Sequence, residues 1–237
     1  MRLSAPIFAL KRKARRMARD RTLPLHRALD IVAAEEGFQS WSHLAASATQ
    51  ASLEETVLSQ LEPGALYVIA ARPGQGKTRL GLELALMASR RGRQGHFFTL
   101  EYHERDIADL MRSMRLDPRA AGKTLRVDTS DDISADHIID RLDAAGDPAL
   151  AVVDYLQLLD QKRNTPDLET QIAALRDHAA RTGGIYVFIS QIDRAFEMRG
   201  EPMPGLGDLR LPNPLDLGAF HRIFFLHAGE MRSAQAA

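Results

Sequence analysis

Cysteine is absent from this chain. No disulfide framework and no thiolate metal site can be built, and the lack of thiols fits a reducing interior. An excess of either charge is also missing: 31 Lys and Arg face 31 Asp and Glu, a formal net charge of +0. No global field therefore marks a nucleic-acid binder. Long apolar runs are missing as well, since nothing approaches the roughly 20 residues of a membrane helix. The N-terminus is basic without an apolar signal core. A cytoplasmic protein is the expectation. What is present is ordinary for a globular chain: 45% hydrophobic and 26% charged residues over 237 positions, enough for one full domain and a small appendage.

The charge is unevenly spread. Arg2, Lys11, Arg12, Lys13, Arg15, Arg16, Arg19 and Arg21 crowd the start, opposed there only by Asp20. Leu10, Ala14, Met17 and Ala18 form a narrow apolar stripe at helical spacing. Leu23-Pro24-Leu25 breaks that helix, Leu25 to Ala33 suggests a second, and Gly37 ends it. A third short helix follows, capped by Ser40 or Ser42, with Phe38 and Trp41 in a small core. The basic helix reads either as a phosphate-backbone contact or as a solvated face, and no aromatic interleaving accompanies it. Ala45 to Gln60 reads as linker or connecting helix. The expected division is residues 1–52, a small all-α module, and 53–237, a nucleotide-binding domain.

The second part is organised around one stretch. Leu66 to Ala70 is an apolar, strand-like run; Pro73, Gly74 and Gly76 make a turn; Lys77-Thr78 opens a helix with Leu80, Leu84 and Met87 on one face. Strand, glycine loop, Gly-Lys-Thr and helix form a phosphate-binding loop. Glycines let backbone N–H groups converge on phosphate oxygens, and the helix N-terminus adds positive potential. Lys77 supplies a cation for the outer phosphates of ATP, and the Thr78 hydroxyl can ligate Mg²⁺. The usual first glycine is Ala71 here.

Later apolar runs end in polar residues. Phe97 to Leu100 leads to Glu101, a candidate base for the water that attacks the γ-phosphate if its strand neighbours the loop. Ala149 to Val153 ends in Asp154, the expected Mg²⁺-positioning carboxylate. Ile185 to Ser190 ends at Gln191, a neutral amide able to bond a γ-phosphate and report its loss to the following loop, which carries Arg194, Arg199 and Arg210. Ile223 to Leu226 closes the sheet. Strands alternating with helices predict a parallel α/β layer sandwich.

Four strings together, Ala70 to Thr78, Phe98 to Glu101, Val153-Asp154-Tyr155-Leu156-Gln157-Leu158 and Ile189 to Arg194, resemble the ATPase domain of DnaB-type replicative helicases, within the RecA-like group. The resemblance runs from about Leu61 to Leu226 and accounts for Ala71, because the family itself uses Ala-Ala-Arg-Pro there. It implies a RecA-like parallel sheet flanked by helices. It implies an ATP site over Arg72, Pro73, Gly74, Gln75, Gly76, Lys77 and Thr78, with Glu101 as catalytic base, Mg²⁺ held by Thr78 and Asp154, and Gln191 as γ-phosphate sensor. It also implies that the loops after Asp160 and at Arg194 face single-stranded DNA, through Lys162, Arg163, Arg194 and Arg199, and that the protein forms a ring or acts with a larger helicase. Two departures are expected to matter. No residue up to Ala237 takes the role of an arginine finger, and Leu211 to Leu215 replaces an acidic family segment after Asp208-Leu209-Arg210. The family's usual N-terminal domain is replaced by the small basic module. The functional expectation is an ATP-dependent helicase or translocase. The alternatives are a helicase-derived ATP-binding accessory protein without unwinding activity and a RecA-like ATPase acting on protein.

Overall fold

The computed structural model describes residues 7–114, 116–122, 124–146, 148–160, 166–211, 213 and 215–236. By its contacts the chain divides into two compact units, Met1–Thr56 and Val57–Ala237.

The first unit is helical: α1 (Ile7–Asp20), α2 (Leu25–Glu35) and α3 (Trp41–Ser59). Proline cannot continue α1 or donate in the first turn of α2, so Pro24 sits at the N-cap of α2. Of the two serines expected to cap α3, Ser40 does so, its Oγ accepting from the His43 N–H at 3.2 Å. Leu10, Ala14, Ala28, Val32, Ala33, Phe38 and Leu44 form the core, with Trp41 packed at its edge. The Ala45 to Gln60 stretch is not a loop. α3 runs unbroken to Ser59, carried by Ala, Leu, Gln and Glu, all good helix formers.

The second unit alternates strand and helix: β1 (Leu66–Ala71), α4 (Lys77–Met87), β2 (Gln94–Thr99), α5 (Glu104–Ser113), α6 (Pro118–Ala121), β3 (Leu125–Asp128), α7 (Ala135–Asp143), β4 (Ala149–Asp154), α8 (Leu168–Thr182), β5 (Ile185–Gln191), α9 (Ala195–Arg199), β6 (Arg222–His227) and β7 (Glu230–Ala234). They build one seven-stranded sheet in the order β3-β2-β4-β5-β1-β6-β7. All pairs are parallel except β6 with β7. The antiparallel β7 is unannounced by the sequence pattern. Ala228 and Gly229, both at positive φ, turn the chain back, and Met231-Arg232-Ser233-Ala234 has no apolar run to signal a strand.

The central strands are buried on both faces, which is why they read as continuous apolar runs rather than alternating ones. Val68, Val153, Phe188 and Phe225 face a core covered by α7 and α8; Ile69, Val152, Ile189 and Phe224 face a second core covered by α4 and α5. The helix after the phosphate loop lies hard against the sheet. A β-carbon at Gly95 would stand 2.0 Å from the Ala85 carbonyl oxygen, so only glycine lets β2 and α4 approach this closely. One expectation is corrected by this order. β2 does not neighbour β1; β4 and β5 lie between them, because α4 carries the chain across two strand positions before β2 begins. Among the described residues no helix is long and apolar enough to cross a membrane.

Candidate nucleotide site

Four consecutive strands, β2, β4, β5 and β1, bring their carboxyl ends level. Thr99 pairs with Asp154, Asp154 with Ile189, and Ala71 with Gln191. The tips of an open parallel sheet are where such folds bind ligands. Here they present Glu101, Asp154, Gln191 and the glycine loop in one row.

The loop has the backbone a phosphate cradle needs. Gly74 and Gly76 stand at φ 80° and 82°, and Gly76 caps α4. A β-carbon on either would meet no protein atom within 4 Å, so the space over the loop is open. Lys77 and Thr78, the first two residues of α4, are both only 8% exposed. Two other loop side chains are tied within the chain. Arg72 donates from Nε to Glu197 Oε1 at 2.9 Å and from Nη1 to the Ile192 carbonyl at 3.0 Å. Gln75 Oε1 accepts from the Ala228 N–H at 2.9 Å. Pro73 is exposed between them.

Asp154 is the electrostatic centre. It is fully buried, and neither carboxylate oxygen has a hydrogen-bond partner. Burial pushes its pKa up to about 6; the Thr78 hydroxyl and the Lys77 charge oppose the rise, and the Glu101 carboxylate adds to it. Those causes tie Asp154 to the three side chains expected to share its chemistry. An ionised carboxylate left without a donor in a dry pocket is unfavourable, and a bound cation would complete it. No group of three His, Asp or Glu side chains able to hold a metal occurs among the described residues. A divalent ion here would therefore draw on the Thr78 hydroxyl, Asp154, water and phosphate oxygens, a donor set that suits Mg²⁺.

Glu101 lies just past β2 and is exposed to solvent, its own N–H bonded to Thr99 Oγ1 at 3.2 Å. Gln191 is held by Arg210: the Arg210 N–H donates to the Gln191 carbonyl at 2.8 Å, and Arg210 Nη1 approaches Gln191 Oε1 at 3.4 Å. Arg194 is exposed at the start of α9. Arg199 is committed to the buried Asp208 and to Glu201 at 3.2 Å, and its bond to Asp208 raises its pKa further. Lys162 and Arg163 lie outside the described residues.

Sequence reasoning gave no specific role to four participants. Tyr102 follows Glu101; burial raises its pKa, and the Thr78 hydroxyl acts against the rise. Gln157 Nε2 donates to Ser190 Oγ at 3.3 Å and to the Arg210 carbonyl, tying the end of β4 to the end of β5. Glu197 holds Arg72, and Arg210 holds Gln191. Gln157 left a signal as part of the Asp-Tyr-Leu-Gln-Leu string, and Arg210 as one of the cations on the sensor loop. The others act across long sequence separations.

Residues 48–132 match the DnaB-like helicase C terminal domain family, spanning the phosphate loop and Glu101. That stretch is similar to the family over about a third of the chain. Over 208 residues it is 27% identical to a probable plasmid replicative DNA helicase of Chlamydia psittaci, covering 74% of this chain and 45% of that protein. Over 181 residues it is 27% identical to the replicative DNA helicase DnaB of Leifsonia xyli subsp. xyli, covering 63% of this chain and 40% of that one. The chain thus spans less than half the length of these two relatives. A solved DnaB-like replicative helicase superposes with a TM-score of 0.58 at 22% identity, covering 71% of this chain and 49% of that one. That likeness speaks for the fold, which is RecA-like. Asp154 and Gln191 lie beyond the family match, so their assignment rests on their place in the sheet.

Proposed function

We propose that the second unit is a DnaB-type ATPase that binds ATP with Mg²⁺ and hydrolyses its β–γ bond, coupling turnover to single-stranded DNA in a ring of identical subunits or on a larger helicase. The observation that carries this reading is the buried Asp154 carboxylate, with no hydrogen-bond partner on either oxygen and a pKa that responds to Thr78, Lys77 and Glu101. Lys77 and the N–H groups of the glycine loop receive the β- and γ-phosphates and offset charge as it builds. The Thr78 hydroxyl and Asp154 would hold Mg²⁺, which neutralises phosphate charge when bound. Water attacks the γ-phosphorus, Glu101 takes its proton, and the bond to the bridging oxygen breaks to give ADP and phosphate. Gln191 donates its amide to the γ-phosphate and, through Arg210, passes its presence to the 193–211 loop.

The test is ATP turnover with and without single-stranded DNA, alongside the assembled mass. Lys77→Ala should abolish nucleotide binding; unchanged affinity would remove the phosphate-loop assignment. Glu101→Gln should keep binding and lose about 10²–10⁴-fold in turnover. A DNA motor should turn over faster on single-stranded DNA.

A second reading, an ATP-binding accessory protein without unwinding activity, draws support from one feature. Three of the cations around the sensor loop are engaged internally, Arg72 on Glu197, Arg199 on Asp208 and Arg210 on Gln191, while Arg194 stays exposed. A turnover rate indifferent to DNA, from a monomer, would favour it.

A further inference from the structure

We infer that the exposed face of α1 is a nucleic-acid backbone grip, separate from the nucleotide site. The first unit holds nine Lys and Arg against six Asp and Glu, although the whole chain is neutral. Lys11, Arg12, Lys13, Arg15, Arg16 and Arg19 are all exposed on this one helix, and Arg21 and Arg27 extend the patch. Among the described residues only Lys13 of these is ion-paired, to Glu35 at 2.6 Å.

The arrangement is unlike a helix face built only for solubility. Such faces place opposite charges four residues apart. Here Lys11 and Arg15, Arg12 and Arg16, and Arg15 and Arg19 are like charges at that spacing, each pair mildly destabilising the helix. A bound polyanion removes that repulsion. The row Lys11, Arg15, Arg19 advances about 6 Å per step, close to two phosphate rises of one duplex strand. Arginine outnumbers lysine among these cations, and its planar fork matches phosphate oxygens two at a time.

The partner is a nucleic acid and not a membrane. A helix that lies on lipid needs a free apolar face. Among the described apolar side chains of α1, Leu10 and Ala14 are instead buried in the core of the first unit, and Ile7, Met17 and Ala18 pack against it. Among the described side chains no aromatic lies among the exposed cations, and the binding is expected to be indifferent to sequence.

The test titrates the full chain, without nucleotide, against a 30-base-pair DNA duplex over a range of salt. Wild type should bind with an affinity that falls steeply as salt rises. Replacing Arg12, Arg15 and Arg16 together by Gln should weaken binding about 10–100-fold at low salt and reduce the log–log salt slope by about 2.7, near 0.9 per lost contact. Gln keeps the helix propensity of Arg, and the triple Arg→Lys chain should bind with the wild-type slope. A single strand of the same sequence should give the shallower slope of a less dense backbone. In the Lys77→Ala background duplex binding should persist, which separates this proposal from the nucleotide reading. Unchanged affinity and slope in the Gln chain would overturn it. So would loss of duplex binding in Lys77→Ala, or capture by anionic lipid vesicles in place of nucleic acid.

Discussion

The two ends of the parallel sheet treat buried polar groups in opposite ways. At the amino end, Tyr186, His178 and Asp143 form a closed relay. An ionised Asp143 can only accept, so His178 Nε2 donates to it at 3.0 Å; Nδ1 is then the acceptor for the Tyr186 hydroxyl at 2.7 Å. Every ring nitrogen is satisfied within the chain. Asp143 meets solvent at the rim, whereas at the carboxyl end Asp154 is as buried as Tyr186 and His178 and both of its oxygens are left over. A satisfied buried network holds a fold together, whereas an unsatisfied one at the mouth of a phosphate cradle marks where a ligand completes the structure.

That contrast can be broken most forcefully at Asp154. Asp154→Asn should lose ATP turnover by at least about 10²-fold, as removal of the cation ligand demands. It should also stabilise the ligand-free protein. A carboxyl whose folded pKa of about 6 exceeds the ordinary 3.8 disfavours the folded state once ionised. The sign follows: relative stability is full below pH 3.8, falls as pH rises to about 6, and stays low above it. The Asn chain escapes this loss, so at pH 7.5 it should be more stable by about 3 kcal/mol, a difference that closes below pH 4. Denaturant titrations at both pH values check it.

His96 sharpens the comparison from within the sheet. It is buried in β2 with Nε2 unpartnered, and burial, aided by the Arg126 charge, lowers its pKa to about 4. A depressed histidine works in the opposite sense from Asp154. Its neutral form is compatible with folding above pH 6.5, and stability is lost as pH falls towards 4. His96→Phe should flatten that acid loss by about 3 kcal/mol while leaving nucleotide affinity unchanged. An orphaned polar atom thus signals a ligand only where a cavity and partners for that ligand lie beside it.

The smallest effect is expected at the satisfied end. Tyr186→Phe leaves His178 Nδ1 without a donor and should lower stability by about 1–3 kcal/mol. Nucleotide binding should not change, because the relay sits at the far end of β5 from Gln191. Urea titration and nucleotide titration of the same variant read both outcomes.

Much of this molecule was legible in its residues. Strands β1, β4, β5 and β6 are near-continuous apolar runs because both faces are covered, and the glycine loop is readable directly from Pro73 to Thr78. β7 was not legible, since an edge strand made of Glu230 to Ala234 needs no apolar pattern. The neighbour relations of strands were not legible either, because residue order tells which element follows which but not how far α4 crosses. The fold-back of the 193–211 loop was hidden for a similar reason. Leu209 bridges to Ile192 and Arg210 bonds Gln191 across nearly twenty residues of Gly- and Pro-containing chain. Glu101, Asp154 and Gln191 could be proposed from strand ends alone. Tyr102, Glu197 and Arg210 could not, because their roles come from contacts that only the folded sheet creates.

The central claim is that Asp154 is kept buried and unpartnered for a divalent cation bound with nucleotide. Calorimetric titration of ATP into the wild-type and Asp154→Asn chains, each with and without Mg²⁺, tests it most directly. Mg²⁺ should strengthen ATP binding to the wild type, and that increment should vanish in Asp154→Asn. An equal Mg²⁺ increment in both chains would contradict it.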